Sequence, residues 1–295
     1  LSVSDTYIEK DLAINQEVDK LRLRATSNLL SGRRDIIVVA SVSCIYGMGN
    51  PEDYKAGIIR IQKGLTIARN SFLYRLVESL YSRTEGQLGR GNFRVKGDTV
   101  DISLPYVDYG YRVSFYGDVI EEIDIIDINT GQRHEPLEHA AIFPANLYVA
   151  PKDRLKFVIR DIEDELFAQE EYFTREKKYL EAKRIHERTT FDLEMIRELG
   201  YCSGVENYSR FFDGRAQGTR PFCLLDYFPD DYLMIVDESH ATLPQAKGMW
   251  GGDSARKLNL VNYGFRLPSA IDNRPLNFTE FEGLVNQVIY VSATP

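Results

Sequence analysis

The chain has 295 residues, 43% of them hydrophobic and 27% charged, and a formal net charge of −8. That balance is ordinary for a globular protein and excludes disorder over most of a length that suits about two domains. The acidic charge excludes a protein that grips nucleic acid by bulk positive charge, so any such contact has to be local.

No apolar run approaches the roughly 18 residues that a membrane helix needs. The opening stretch, Leu1-Ser2-Val3-Ser4-Asp5, has no basic region followed by an apolar one and is not read as a signal peptide. A cytoplasmic protein with no membrane partner is expected. Cys44, Cys202 and Cys223 form no Cys-x-x-Cys pair, and His134, His139, His186 and His240 show no metal spacing. Reduced, buried thiols are expected.

In chain order, Asp35-Ile36-Ile37-Val38-Val39-Ala40 reads as the first of three strands buried on both faces, as in a covered parallel sheet. From about Tyr54 to Val149 the pattern changes. A helix over roughly Leu73 to Tyr81 is followed by alternation. Phe93 and Val95 turn at Gly97-Asp98 into Val100 and Ile102; Val113 and Phe115 turn at Tyr116-Gly117-Asp118 into Ile120 to Ile128. These are hairpins with one polar face, in a small inserted α+β domain. From Leu155 to Leu199, Ile159, Ile162, Leu166, Leu180, Ile185, Phe191 and Met195 recur at helical spacing between charges, which predicts an amphipathic helix pair. The remaining buried strands are Tyr232–Val236 and Gln287–Val291.

All three strands end in polar residues: Ser41 and Ser43, Asp237 and Glu238, Ser292 and Thr294. Ligands of open α/β sheets bind beyond the carboxyl ends of strands, so one shared sheet would gather these groups at one crevice. Burying Leu233-Met234-Ile235-Val236 forces Asp237 to the sheet end, where a carboxylate can hold Mg²⁺. Glu238 is then placed to orient or deprotonate an attacking water. An apolar run ending in Asp-Glu is also found at plain surface turns. Val291-Ser292-Ala293-Thr294-Pro295, about 50 residues further on, strengthens the nucleotide reading. The pair resembles motifs II and III of superfamily 2 helicases, in which the acids serve ATP hydrolysis and Ser-Ala-Thr couples it to motion.

The resemblance sharpens along the chain. Asp5-Thr6-Tyr7-Ile8-Glu9-Lys10-Asp11, Ala40–Gly47, Cys202–Arg210, Leu225–Asp231, Gly264–Ala270 and Asp272-Asn273-Arg274-Pro275-Leu276 resemble the UvrB family from end to end and in its order. The transcription-repair coupling factor is similar through the inserted domain, and would supply a UvrA-binding module without catalysis. Its likeness stops short of Asp237-Glu238-Ser239-His240 and of Tyr201–Arg210.

The UvrB resemblance implies an α/β fold: a partial RecA-like parallel-sheet helicase lobe, a helical subdomain and an inserted α+β UvrA-binding domain. The expected division is 1–54 and 221–295 for the lobe, 55–149 for the insertion and 150–220 for the helical part. It implies a subunit of nucleotide excision repair that reaches damaged double-stranded DNA with UvrA. There it threads one strand behind a β-hairpin, verifies the lesion with ATP and recruits UvrC through regions this chain lacks. Asp237 would meet Mg of Mg-ATP, Glu238 would be catalytic, and Ser292 and Thr294 would couple. Arg83, Arg94 and Lys96 match UvrA-docking positions; Lys96 stands for an arginine, so a bidentate contact becomes a single-point one. Solvated charges on a hairpin face are the competing reading. Lys10 and Arg22 would contact phosphates, although Lys10 lies between Glu9 and Asp11 and a local ion pair competes. Tyr201, Glu206 and Tyr208 would lie by the strand path, with stacking and simple packing both open for the tyrosines. No Gly-x-x-x-x-Gly-Lys-[Ser/Thr] stands anywhere in the chain, so the phosphate cradle is missing. The chain by itself is expected to hold no ATP or Mg tightly and to be inactive.

Overall fold

The computed structural model describes residues 12–293. Helix α1 (Leu12–Leu29) ends in a turn at Gly32, which adopts φ +86°. Residues 35–40, expected as a buried strand, form no strand, and Ile37 and Val39 are more than nine-tenths exposed. A strand needs a ladder partner, and none among the described residues runs beside this segment. The chain then makes a 3₁₀ turn (Val42–Ile45), where the Ser41 hydroxyl accepts from the Ser43 N–H. Helix α2 (Pro51–Ala56) follows, with Asn50 capping the Glu52 N–H and Pro51 at its first position.

Strands β1 (Ile59–Gln62) and β8 (His139–Ile142) pair antiparallel where the chain enters and leaves the insertion. Between them lie helix α3 (Arg69–Glu78) and strands β2 (Ser82–Arg83), β3 (Asn92–Lys96), β4 (Thr99–Ser103), β5 (Tyr109–Tyr116), β6 (Val119–Asp127) and β7 (Arg133–Pro136). The six strands form one sheet in sequence order, antiparallel except for the β2–β3 pair. The β3–β4 and β5–β6 hairpins close on two-residue loops with Gly97 (φ +57°) and Gly117 (φ +60°) at the first central position. Glycine suits that position because the left-handed backbone is strained for a residue with a side chain, although the space around each Cβ position is open. Period-two alternation puts Phe93, Val100, Ile102, Val113 and Ile123 into the core. Helix α3 covers them with Phe72 and Leu76, the Phe72 ring 5.7 Å from that of Phe115. Tyr54 and Tyr81 are buried at the exit and donate to the carbonyls of Pro144 and Phe143.

Helices α4 (Lys152–Arg175) and α5 (Tyr179–Leu199) form an antiparallel hairpin. Val158, Ile162, Leu166 and Phe173 face Ile185, Leu193 and Ile196 at helical spacing. Gly200, at φ +81°, caps α5 in the left-handed conformation. A 3₁₀ turn (Val205–Tyr208) and helix α6 (Ser209–Asp213) close this body.

The last part holds strand β9 (Leu233–Val236), helix α7 (Ser239–Asn262), helix α8 (Phe278–Leu284) and strand β10 (Gln287–Tyr290). β9 and β10 pair in parallel, with Leu233 opposite Gln287 and Val236 opposite Tyr290. Two of the three expected strands therefore share a sheet. Burial on both faces does not hold: Leu233 is 54% and Ile235 62% exposed, while Val236 is buried. Alternate residues turn toward the cluster built on Leu276 and Phe281, and nothing among the described residues covers the other face. Cys202 and Cys223 are buried, and burial pushes both thiols up to about 12, so neither is a thiolate near neutral pH. The fold is mixed α/β, with one antiparallel-dominated sheet inserted beside a parallel pair.

Candidate functional site

Parallel pairing brings the two strand-end motifs together. The Val291 N–H donates to the Val236 carbonyl at 2.9 Å, and the Ser239 N–H donates to the Val291 carbonyl at 2.8 Å. The chain leaves β9 through Asp237 and Glu238, both exposed, and enters α7 at Ser239. The Asp237 carboxylate accepts the Glu238 N–H at 2.9 Å, and its carbonyl accepts the Thr242 hydroxyl at 2.9 Å. Glu238 itself sits at φ +46°, ψ 47°. A side chain there costs of order 1–3 kcal/mol, and such strain persists only where the surroundings enforce it. It aims the Glu238 carboxylate back toward His240, whose Nδ1 lies 3.4 Å from Glu238 Oε2 and 3.1 Å from Ser292 Oγ. An acid on one strand end and a hydroxyl on the next thus share one imidazole. His240 stands in the Asp237-Glu238-Ser239-His240 motif, but only the contact with Ser292, 52 residues away, gives it a role. Thr294 lies outside the described residues.

Among the described residues no three or more His, Cys, Asp or Glu side chains are arranged to hold a metal unaided. One exposed carboxylate would suit magnesium that arrives on a nucleotide, since phosphate oxygens and waters would supply the remaining ligands.

The expected docking residues fall in two environments. Arg83 and Lys96 are exposed, and Arg83 Nε donates to Glu85 Oε1 at 3.0 Å. Arg94 is committed inside the sheet. It begins a cross-strand row in which Arg94, Asp101, Arg112 and Asp124 stand opposite one another on β3 to β6. Arg112 grips Asp101 with two hydrogen bonds of 2.6 and 2.9 Å. Arg94 reaches Asp101 at 3.3 Å and also donates to the Gly86 carbonyl, and Arg133 reaches Asp124 at 3.3 Å. Burial acts to raise the Asp101 carboxyl, but the hydrogen bonds and charge of Arg112 and Arg94 prevail and hold it below its usual value. The polar face expected of these strands is therefore a bonded charge row that is largely withdrawn from solvent.

Arg22 is exposed on α1, and Tyr201 and Glu206 are half-buried. Tyr208 is only 5% exposed, and its hydroxyl donates to Asp192 Oδ2 at 2.8 Å inside the helical core. Tyr208 is thus packed into that core, with little of its ring at the surface. Lys10 lies outside the described residues.

Two families of known domains match the chain. The UvrB interaction domain matches residues 59–148, and the UvrB third helical domain matches residues 153–214. The chain is 62% identical over its whole length to UvrABC system protein B of Bacteroides fragilis and 61% identical to that of Cytophaga hutchinsonii. It is 52% identical over 293 residues to that of Leptospira biflexa. In each case the match spans 44% of the relative, so the chain covers less than half the length of these proteins.

Proposed function

Because this chain belongs to the UvrB family, we propose that it works in nucleotide excision repair as part of the damage-verifying subunit of a UvrABC-type system. In this reading the insertion docks UvrA, and the β9–β10 pair carries the acid half of an ATP site. Damaged double-stranded DNA is the substrate, and UvrC acts later through regions outside this chain. The observation that carries the reading is the junction of Asp237-Glu238-Ser239-His240 with Ser292 across neighbouring parallel strands.

Bound ATP with magnesium supplies the phosphoryl group and a cation to neutralise its charge. Toward that group, the free oxygen of Asp237 would ligate the cation, and Glu238 would orient or deprotonate the attacking water. Both acids sit at the end of a strand, which limits their motion relative to the sheet. The His240 bridge gives Ser292 a means to feel a change at Glu238, so the hydroxyl pair Ser292 and Thr294 would couple the site to neighbouring parts. Arg83 and Lys96, both exposed on strands of the insertion, suit an acidic surface on UvrA. Arg94 would add to that surface only at its rim. Arg22, Lys10 and Tyr201 would contact DNA, with Glu206 and Tyr208 shaping the wall beside them.

The test is the ATPase of the full-length protein that contains this chain. Asp237→Ala should abolish DNA-stimulated hydrolysis while leaving UvrA binding intact. A variant that hydrolyses at the wild-type rate refutes the site. The 295-residue chain alone should show only background hydrolysis.

A further inference from the structure

A second exposed feature lies away from the strand-end motifs, where α7 runs out against α5. Tyr263 is 59% and Phe265 45% exposed, and they flank Gly264. The turn that carries them is tightly held. Gly264 adopts φ +69°, and a Cβ there would meet the Glu181 carbonyl oxygen of α5 at 2.5 Å. The Phe265 N–H donates to the Leu260 carbonyl at 2.8 Å, and Arg184 Nη1 donates to the Tyr263 carbonyl at 2.5 Å. The Arg184 guanidinium lies 4.2 Å from the centre of the Phe265 ring. Two large aromatics on a rigid turn are thus kept outward rather than folded into the core that lies beneath them.

The same place carries cationic charge without a carboxylate partner, as do Arg22, Arg24, Arg60, Arg75 and Arg90 elsewhere among the described residues. The chain carries a net charge of −8, and most of its arginines have a carboxylate partner. Arg184 and the neighbouring Arg266 have none within 4.0 Å among the described residues: Arg184 donates to the Tyr263 carbonyl and Arg266 to the adjacent Phe265 carbonyl. A guanidinium stacked on an aromatic face, with N–H groups still unclaimed by a carboxylate, is suited to a ligand with both flat rings and anionic groups. An aliphatic or purely acidic surface would use only half of that arrangement.

We propose that Tyr263, Phe265 and Arg184 form a stacking platform for single-stranded nucleic acid, with Arg184 and Arg266 facing its phosphates. The proposal rests on the repair reading above and adds to it a base-contacting surface on the α5–α7 junction. Bases would stack on the Phe265 and Tyr263 rings without sequence preference, because every base presents a π-face.

The experiment uses the chain itself and a fluorescein-labelled oligothymidylate, with binding read as anisotropy at fixed, low salt. Replacing both Tyr263 and Phe265 by Ala should weaken binding by at least roughly thirty-fold, since two stacking rings are lost and each stacked base is worth about 1–3 kcal/mol, at tenfold per 1.4 kcal/mol. Phe265→Trp should restore most of the single-site loss, and Phe265→Leu, which keeps apolar bulk without the π-face, should not. The Leu variant keeps the test valid should the double variant fold poorly. An abasic strand of equal length should bind wild type about as weakly as the double variant binds oligothymidylate. The platform is refuted by double-variant binding within about twofold of wild type, by equal binding of the abasic strand, or by polyglutamate binding as well as DNA. The last result would assign the surface to an acidic protein. If wild-type chain binds no single strand at all, the DNA-contact part of the repair reading falls with it; if wild type binds and the variants bind equally well, the platform alone falls.

Discussion

Asp101→Ala should loosen the inserted sheet far more than its single side chain suggests. Asp101 is 1% exposed and takes hydrogen bonds from Arg112 at 2.6 and 2.9 Å and from Arg94 at 3.3 Å. Removing it leaves two guanidinium groups without their carboxylate. Breaking a fully buried pair costs about 3–5 kcal/mol. Here the arginine side chains keep 19% and 20% of their exposure, so water recovers part of the loss. A local cost of about 2–4 kcal/mol is the consistent figure. Native-state hydrogen exchange of the intact chain is the suitable assay, because several bodies make a single unfolding free energy ill-defined. Amides of β3 to β5 should exchange roughly 30- to 700-fold faster in the variant, at tenfold per 1.4 kcal/mol, while those of α4 and α5 stay unchanged. The effect has a pH signature. The folded carboxyl of Asp101 lies below the ordinary value of 3.8. Its contribution is therefore complete above that value and is lost as pH falls through the lower, folded one. Wild-type β3 to β5 should lose protection on acidification below about pH 4, and Asp101→Ala should lack that component. Exchange within threefold of wild type (about 0.7 kcal/mol) would show that the row is ornamental and that Arg94 is free to dock a partner.

Three further outcomes follow from the same geometry. Arg83→Glu with Lys96→Glu should abolish capture by UvrA, since both are exposed and their reversal leaves the charge row untouched; undiminished capture would place the docking face elsewhere. Glu238→Gly relieves the left-handed strain and should protect the α7 amides by about 1 kcal/mol while abolishing hydrolysis in the full-length protein; unaltered ATPase would remove Glu238 from the site. Tyr208→Phe leaves the buried Asp192 without one donor and should cost about 1–3 kcal/mol in the exchange of α5, with single-strand affinity unchanged; a selective loss of affinity would return Tyr208 to the DNA path.

Local physics was legible in the chain. The hairpin loops at Gly97 and Gly117, the helical spacing from Leu155 to Leu199 and the apolar run into Asp237 rest on backbone sterics and periodicity, which neighbours in sequence decide, although Leu180 and Phe191 of that spacing are exposed. The identity of the strand-end motifs was equally local. Partnership was not. Whether residues 35–40 form a strand depends on a ladder partner. Whether Leu233 and Ile235 are covered depends on which elements pack on the β9–β10 pair. Arg94 looks like Arg83 in sequence, but Asp101 and Arg112 claim it across the sheet. Tyr208 looks like Tyr201, but Asp192, 16 residues earlier on α5, draws its hydroxyl inward. The His240–Ser292 contact and the Arg184–Phe265 stack join residues 52 and 81 positions apart. Residue type and spacing therefore determined which chemistry this chain can carry. Only the packing of distant segments decided which side chains are free to perform it, because burial and charge pairing depend on neighbours in space.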